Sequence, residues 1–141
     1  AASDVYKRQG VTSYADGSGD EETAIKERYG SGLRGFLTFR ITDKLEDFRG
    51  LLGLIRSRYA DRLQLMLGPR WTLKVPREVL EEIGEASRRY GLKVCIHVAE
   101  TEAEVEEARR RHGCKGSIDY LRRVGLLGPD LIAIHCVHLI P

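Results

Sequence analysis

Two continuous apolar runs constrain the fold more than any other feature of this sequence. Leu92–Ala99 and Leu131–Leu139 carry apolar residues at successive positions rather than at alternate ones. Such runs are typical of strands that are buried on both faces, as in a parallel sheet covered by helices. The sequence therefore predicts an α/β fold, in which chemistry gathers at the carboxyl ends of the strands.

Strand and helix patterns alternate along the chain. Helical spacing runs from Leu45 to Tyr59 and from Val79 to Ala86, and Pro76 and Gly91 bound the second of these helices. Ser18 with Glu21, and Thr101 with Glu104, form capping-box patterns that start two further helices. The predicted strands are residues 11–15, 33–41, 63–67, 92–99 and 131–139. A doubly wound sheet and a barrel both fit this order, and units of about 25 to 35 residues match a (β/α)8 barrel of ~250 residues.

Composition and charge exclude several classes of protein. The chain has 42% hydrophobic and 31% charged residues with a net charge of +2, which is typical of a soluble globular domain. We therefore expect no nucleic acid and no membrane surface as a partner. Of three cysteines, Cys95 and Cys136 lie inside apolar runs, where a free thiol behaves as a small hydrophobe, and Cys114 lies elsewhere. A reducing cytoplasm is the simplest compartment.

Both ends of the chain look foreign to a complete protein. Residues 3–9 resemble the translation of a transposon adapter used to prepare sequencing libraries, and the alternative is a natural polar N-terminus. The chain stops at Pro141, directly after a predicted strand. We therefore expect residues 1–9 not to be native and residues 10–141 to be a fragment of a barrel domain.

Imidazole and carboxylate side chains occur where two predicted strands end. His97 lies near the end of one run, Glu100 follows it, and His135 lies at the corresponding end of the next strand. A neutral imidazole is a good ligand for zinc or iron. A carboxylate just past the strand can exchange a proton with an activated water, and His135 can orient the hydroxide or polarise the bond under attack. The alternatives are a buried structural histidine and a helix-start acid favoured by the macrodipole.

His138 has a different interpretation. In a regular strand it faces the opposite way from His135, so a structural role is expected. Cys114 is given no metal role, and Gly17-Ser18-Gly19 is too short for a phosphate loop.

Three motifs in this order closely resemble the amidohydrolase superfamily. They are residues 97–101 (His-Val-Ala-Glu-Thr), 125–128 (Gly-Leu-Leu-Gly) and 135–139 (His-Cys-Val-His-Leu), and Gly68-Pro69 and Gly10-Val11-Thr12 add to the resemblance. The likeness covers residues 10–141. It is strongest to the aminohydrolases and chlorohydrolases of heteroaromatic rings, a branch with methylthioadenosine and S-adenosylhomocysteine deaminases, guanine deaminase and triazine hydrolases.

The resemblance implies a distorted (β/α)8 barrel, of which this chain supplies strands two to six. The family's metal-ligand histidine falls on His97, its acid/base glutamate on Glu100, and its strand-six active-site histidine on His135. One divalent metal ion is implied, zinc first and iron as the alternative. The family's His-x-His pair on strand one and its aspartate on strand eight have no counterpart in this chain.

The loop after the third strand departs from the family pattern. Arg70 stands where a substrate-contacting histidine often follows Gly-Pro, and Trp71 comes next. Val75-Pro76 replaces a serine that usually caps the next helix. An arginine beside a tryptophan suits a carboxylate or a ring face, so both are candidate substrate-binding residues. A solvent-facing loop pair is the alternative.

Three functions remain open on the sequence. The leading one is a metal-dependent hydrolase that deaminates, or dechlorinates, a purine, pyrimidine or triazine-like ring. The alternatives are hydrolysis of a cyclic amide C–N bond by the same barrel, and a barrel that binds small molecules without catalysis. The expected partner is a small heterocyclic substrate, with the oligomeric state undetermined. The chain alone is expected to be inactive, because it holds one predicted metal ligand where a site needs three or four.

Overall fold

A computed structural model describes residues 2–16 and 22–140 of the chain. One sheet contains all five strands in the order β1-β2-β3-β4-β5, and β1 and β2, like β4 and β5, pair in parallel. Strand order that follows chain order, with helices between the strands, is the arrangement of consecutive units in a (β/α)8 barrel. The predicted partial barrel is therefore confirmed. The elements are α1 (Ala2–Arg8), β1 (Ser13–Asp16), α2 (Glu22–Gly30), β2 (Arg34–Ile41), α3 (Arg49–Arg58), β3 (Leu63–Pro69), α4 (Arg77–Tyr90), β4 (Lys93–Val98), α5 (Glu102–His112), α6 (Ser117–Arg123) and β5 (Leu131–His135).

The described chain divides into two compact units. One holds β1, α2, α3 and most of β2, and ends at Met66 within β3; the other holds residues 40–46 and everything from Leu67 onward. The second unit is built on α4 and β4, whose apolar side chains are almost completely buried. They are Val79, Leu80, Ile83 and Ala86 on the helix and Val94, Cys95, Ile96 and Val98 on the strand. In the described residues no helix combines the length and apolar character that crossing a membrane requires.

The boundaries of β1, β3 and α3 differ from the prediction by two or more residues. β1 begins at Ser13 rather than Val11. β3 continues through Gly68 and Pro69. A proline is compatible with the last position of a strand, because the N–H that it lacks would lie where the ladder of hydrogen bonds ends. α3 begins at Arg49, so Leu45 precedes it; the carboxylate of Asp47 accepts the backbone N–H of Arg49 at 3.0 Å, a local bond that competes with an earlier helix start. The predicted Ser18–Glu21 capping box lies outside the described residues.

The fifth strand is shorter than the apolar run predicts, and none of its residues is buried, so the prediction of a strand buried on both faces was wrong for β5. β5 ends at His135 rather than Leu139, because His135 and Cys136 adopt left-handed backbone conformations with φ of 74° and 53°. The comparison of faces between His135 and His138 assumed a regular strand, so it does not apply here. Residues 136–138 form a loop that runs beside the end of β4.

The turn from α4 into β4 fixes where the apolar strand begins. Gly91 ends the helix in the left-handed conformation at φ 64°, as the Tyr90-Gly91 pair predicts. The buried hydroxyl of Ser87 donates to the carbonyl of Leu92 at 2.7 Å. Helix and strand are thus connected by backbone conformation and by a buried hydrogen bond.

The loop after β3 is tied to the far end of β4. Thr72 is 1% exposed, and its hydroxyl donates to the carbonyl of His97 at 2.9 Å. The same loop starts with the backbone N–H of Arg70 donating to the carbonyl of Ile41 at 3.1 Å. The backbone of His97 is therefore held from a neighbouring loop as well as within its own sheet.

Two glycine substitutions should change stability in opposite directions. Gly91→Ala forces a methyl group into a left-handed position and should destabilise by about 1 kcal/mol. Gly53→Ala, at an exposed interior position of α3 with no atom within 4 Å of the new methyl group, should stabilise by up to about 1 kcal/mol. Denaturant unfolding of the two variants checks the signs, and a stabilised Gly91→Ala variant would contradict the assignment of the helix end.

Thr72→Val should lower the free energy of unfolding by about 0.5–1.5 kcal/mol, because it removes a buried hydrogen bond to His97 at nearly constant volume. Thr72→Ser keeps the hydroxyl and is the matched control. Equal losses in the two variants would mean that the methyl packing of Thr72, and not its hydroxyl, matters.

Candidate active site

The carboxyl ends of β4 and β5 bring the two predicted histidines together. His97 lies opposite Ile134 in the sheet, and His135 lies opposite Val98. Regular pleating would therefore place the His135 side chain on the face of Val98 and not on that of His97. The left-handed backbone at His135 breaks the pleat, and the two imidazole rings lie with their centroids 5.2 Å apart.

Glu100 joins this pair from the loop after β4. Its Oε1 lies 3.5 Å from Nε2 of His135, and the side chains of His135 and Glu100 are 36% and 40% exposed. The contact is an ion pair when the imidazole is protonated. Since both groups reach solvent, a small molecule can approach them directly.

Backbone strain concentrates at the same place. Among the described residues other than glycine, Ala99, His135 and Cys136 have positive φ, with values of 51°, 74° and 53°. A left-handed conformation costs roughly 1–2 kcal/mol for a residue with a Cβ atom. Such residues cluster at functional sites, where the surrounding structure holds them in place.

Backbone hydrogen bonds join the two strained loops. The N–H of Cys136 donates to the carbonyl of Val98, and the N–H groups of Val137 and His138 both donate to the carbonyl of Ala99, each at 3.0 Å. The loop after β5 is thereby fixed to the segment between His97 and Glu100. His138 itself is exposed, and its backbone rather than its ring serves the site.

Glu104 holds the other side of the Ala99–Glu100 segment. Its Oε1 accepts the N–H of Ala99 and its Oε2 accepts the N–H of Glu100, both at 3.0 Å. The side chain of Thr101 accepts the N–H of Glu104 at 3.2 Å, so the predicted helix cap is confirmed. The capping-box pattern could identify Glu104 as a helix-start residue, but it carried no signal for these two additional bonds.

The side chains at the carboxyl ends of β4 and β5 are of chemical types that bind divalent metal ions. Imidazole nitrogen and carboxylate oxygen are ordinary zinc ligands, and His97 is half-buried where β4 ends. Burial raises the pKa of the neighbouring Cys95 thiol, which favours the neutral thiol over the thiolate that binds metals. Within residues 2–16 and 22–140, no three His, Cys, Asp or Glu side chains form a group that could hold a metal ion. His97 can thus contribute to a donor set but does not complete one here.

Arg70 and Trp71 lie on the loop that Thr72 ties to β4. The guanidinium carbon of Arg70 is 4.4 Å from the centre of the Trp71 ring, and Nζ of Lys74 is 4.1 Å from it. In the described part of the chain, no hydrogen bond links Arg70 or Trp71 to His97, Glu100 or His135. The structure therefore places this pair beside the strand of His97 but does not bring it into the histidine–glutamate cluster.

Thr72 and Lys74 have no predicted role from the sequence, and Glu104 was predicted only as a helix-start residue. The signal for Lys74 was its spacing of three residues from Trp71 on one loop. Thr72 gave no signal, because a hydrogen bond to a carbonyl 25 residues away leaves no local pattern.

Comparisons with known proteins identify the family of this chain. The sequence matches the amidohydrolase family over residues 9–141. It is 36% identical over 125 residues to the 5′-deoxyadenosine deaminase of Methanopyrus kandleri, an alignment that covers 82% of this chain and 29% of that protein. The chain thus spans less than a third of that relative's length.

Solved structures show the same fold at lower sequence identity. Guanine deaminase from C. acetobutylicum with bound guanine superposes with a TM-score of 0.72 at 18% identity, over 99% of this chain and 39% of that one. A mutant of atrazine chlorohydrolase from Arthrobacter aurescens TC1, complexed with zinc and atraton, gives 0.69 at 15% identity, over 99% and 37%. From the family match, the sequence identity and the shared fold, we conclude that the chain belongs to the amidohydrolase family.

Proposed function

We propose that the whole protein is a metal-dependent hydrolase that replaces the amino group of a purine-like heteroaromatic ring with oxygen from water. The observation that carries the proposal is the Glu100 carboxylate 3.5 Å from the His135 imidazole, with the His97 ring 5.2 Å from that of His135. The deaminase names of the relatives support the substrate class. In the reaction, water and the C–NH₂ group yield C=O and ammonia.

His97 is the proposed protein ligand of this chain for one divalent ion, zinc first and iron as the alternative. When bound, such an ion activates water by lowering its pKa. The proposal places the remaining ligands in parts of the protein outside this chain. The zinc in the atrazine chlorohydrolase structure supports the choice of metal.

Glu100 is the proposed general base and acid. A carboxylate at this position can take the proton of the attacking water and return it to the departing amine, so that the residue ends each cycle as it began. Its side chain reaches solvent, and its backbone N–H is held by Glu104, so the group is both accessible and fixed at its root.

His135 is proposed to hold the attacking water and the oxygen that forms from it. Its Nε2 faces Glu100, so the imidazole and the carboxylate can contact one small molecule between the two loops. A hydrogen bond from imidazole to a developing negative charge stabilises the transition state.

Arg70 and Trp71 are proposed to contact the substrate. Arg70 lies over the Trp71 ring, so its guanidinium is oriented for a carboxylate or a ring face. Because Thr72 connects their loop to His97, a substrate held at Arg70 would lie close to the end of β4.

A second candidate reaction is displacement of chloride from a triazine-like ring by the same residues. The specific support is the structural similarity to atrazine chlorohydrolase. A cytoplasmic location stays a prediction that rests on the three free cysteines, Cys95, Cys114 and Cys136.

Three substitutions in the complete protein separate the proposed roles. Glu100→Gln should lower kcat for an amino-purine at least ~10²-fold with metal retained, because an amide of the same shape cannot carry the proton. His97→Ala should lose the metal. His135→Asn should slow turnover with metal retained. Metal analysis and steady-state kinetics measure both quantities.

The matched control is His138→Ala, which changes an exposed histidine on the same loop and should keep both metal and turnover. Near-normal turnover of Glu100→Gln, or full metal content of His97→Ala, would show that the residue roles are wrong. Turnover of a chloro-triazine but not of any amino-purine would favour dechlorination.

A further inference from the structure

We propose that Glu104 is a positioning residue, whose carboxylate holds the amides of Ala99 and Glu100 and so fixes the direction of the Glu100 side chain toward His135. The inference rests on the proposed role of Glu100 as acid and base. Glu104 contributes no atom to the cluster itself. It acts through the backbone from which Glu100 projects.

The pattern of hydrogen bonds goes beyond helix capping. In an ordinary capping box the glutamate returns to the N–H of the N-cap residue, which here is Thr101. Glu104 instead accepts the N–H groups of the two residues before the cap, one on each carboxylate oxygen, at 3.0 Å. The two carboxylate oxygens of Glu104 therefore bind the peptide units on either side of the Ala99 α-carbon.

Ala99 lies between the two peptide units that Glu104 binds. It is buried, and its φ of 51° turns the chain from β4 toward Glu100. Its N–H is bound by Glu104, and its carbonyl accepts the N–H groups of Val137 and His138. Because Ala99 is hydrogen-bonded through both its N–H and its carbonyl, the bonds to Glu104 also set the separation between the loop of Glu100 and the loop of His135.

An amide cannot reproduce this arrangement. A glutamine offers one acceptor oxygen and one NH₂ donor, so it can satisfy only one of the two backbone N–H groups and presents a donor to the other. The helix cap is a hydrogen bond from the backbone N–H of residue 104 to the side chain of Thr101, and the substitution leaves both groups in place. Glu104→Gln therefore preserves the helix cap but cannot accept both backbone N–H groups at once.

The experiment uses Glu104→Gln in the complete protein, with Glu102→Gln as the matched control in the same first turn of α5, where the side chain is exposed. We expect Glu104→Gln to lower kcat by about 10- to 100-fold with KM changed less than about twofold, as for a small misplacement of a catalytic group. Hydrogen exchange of the Ala99 and Glu100 amides should accelerate at least about 10-fold. The control should change neither quantity.

A double-mutant cycle with Glu100→Gln separates positioning from general stability. If Glu104 acts through Glu100, adding Glu104→Gln to Glu100→Gln should lower the residual kcat no further. A purely structural role would lower kcat by the same factor in both backgrounds. That result, or an unchanged kcat in the single variant, would overturn the proposal.

The outcomes also distinguish this inference from the proposed function. Full turnover of Glu100→Gln would overturn the proposed role of Glu100 itself. A large loss in Glu100→Gln combined with no loss in Glu104→Gln would overturn only the positioning role. If Glu104→Gln fails to fold, Glu104→Asp carries the same measurements, because it keeps the charge but is one methylene too short to reach both amides; unchanged exchange and kcat in that variant would equally overturn the proposal.

Discussion

The pleat of a parallel sheet controls which side chains can meet, and the candidate site depends on breaking it. His135 lies opposite Val98, so a regular strand would separate it from His97 by a face of the sheet. The left-handed conformation at His135 ends the strand and allows the two rings to approach. The loop geometry of residues 135–138 is therefore a condition for the site and not a mere end of a strand.

That conformation is costly, and the structure contains the bonds that offset the cost. Three left-handed residues cost roughly 1–2 kcal/mol each. Five hydrogen bonds hold the same two loops: two to the carboxylate of Glu104 and three between backbone groups of residues 98–99 and 136–138. At about 1 kcal/mol for each bond, the two sums are of the same order. The site is thus an element whose strained backbone is maintained by its immediate neighbours.

Local patterns predicted the strands and helices well, and they failed where long-range bonds decided. The apolar runs located β4 and β5, and the Thr101–Glu104 spacing located the start of α5. The same apolar run extended β5 too far, because Cys136, Val137 and Leu139 follow the strand in a loop, where the side chains of Val137 and Leu139 are exposed. An apolar run in the sequence reports residue type, and it does not report the sign of φ.

The sequence by itself determined the parallel α/β architecture and the position of His97, Glu100 and His135 near strand ends, because apolar strand segments and chemically distinct side chains are recognisable from residue order. Only the tertiary structure decided that Glu100 approaches His135, that Thr72 donates to the carbonyl of His97, and that Glu104 accepts two backbone N–H groups. The physical reason is that these contacts depend on backbone conformation at a few strained residues. A glycine in a sequence can indicate a left-handed backbone, because glycine adopts that conformation readily, whereas an alanine, histidine or cysteine gives no such indication.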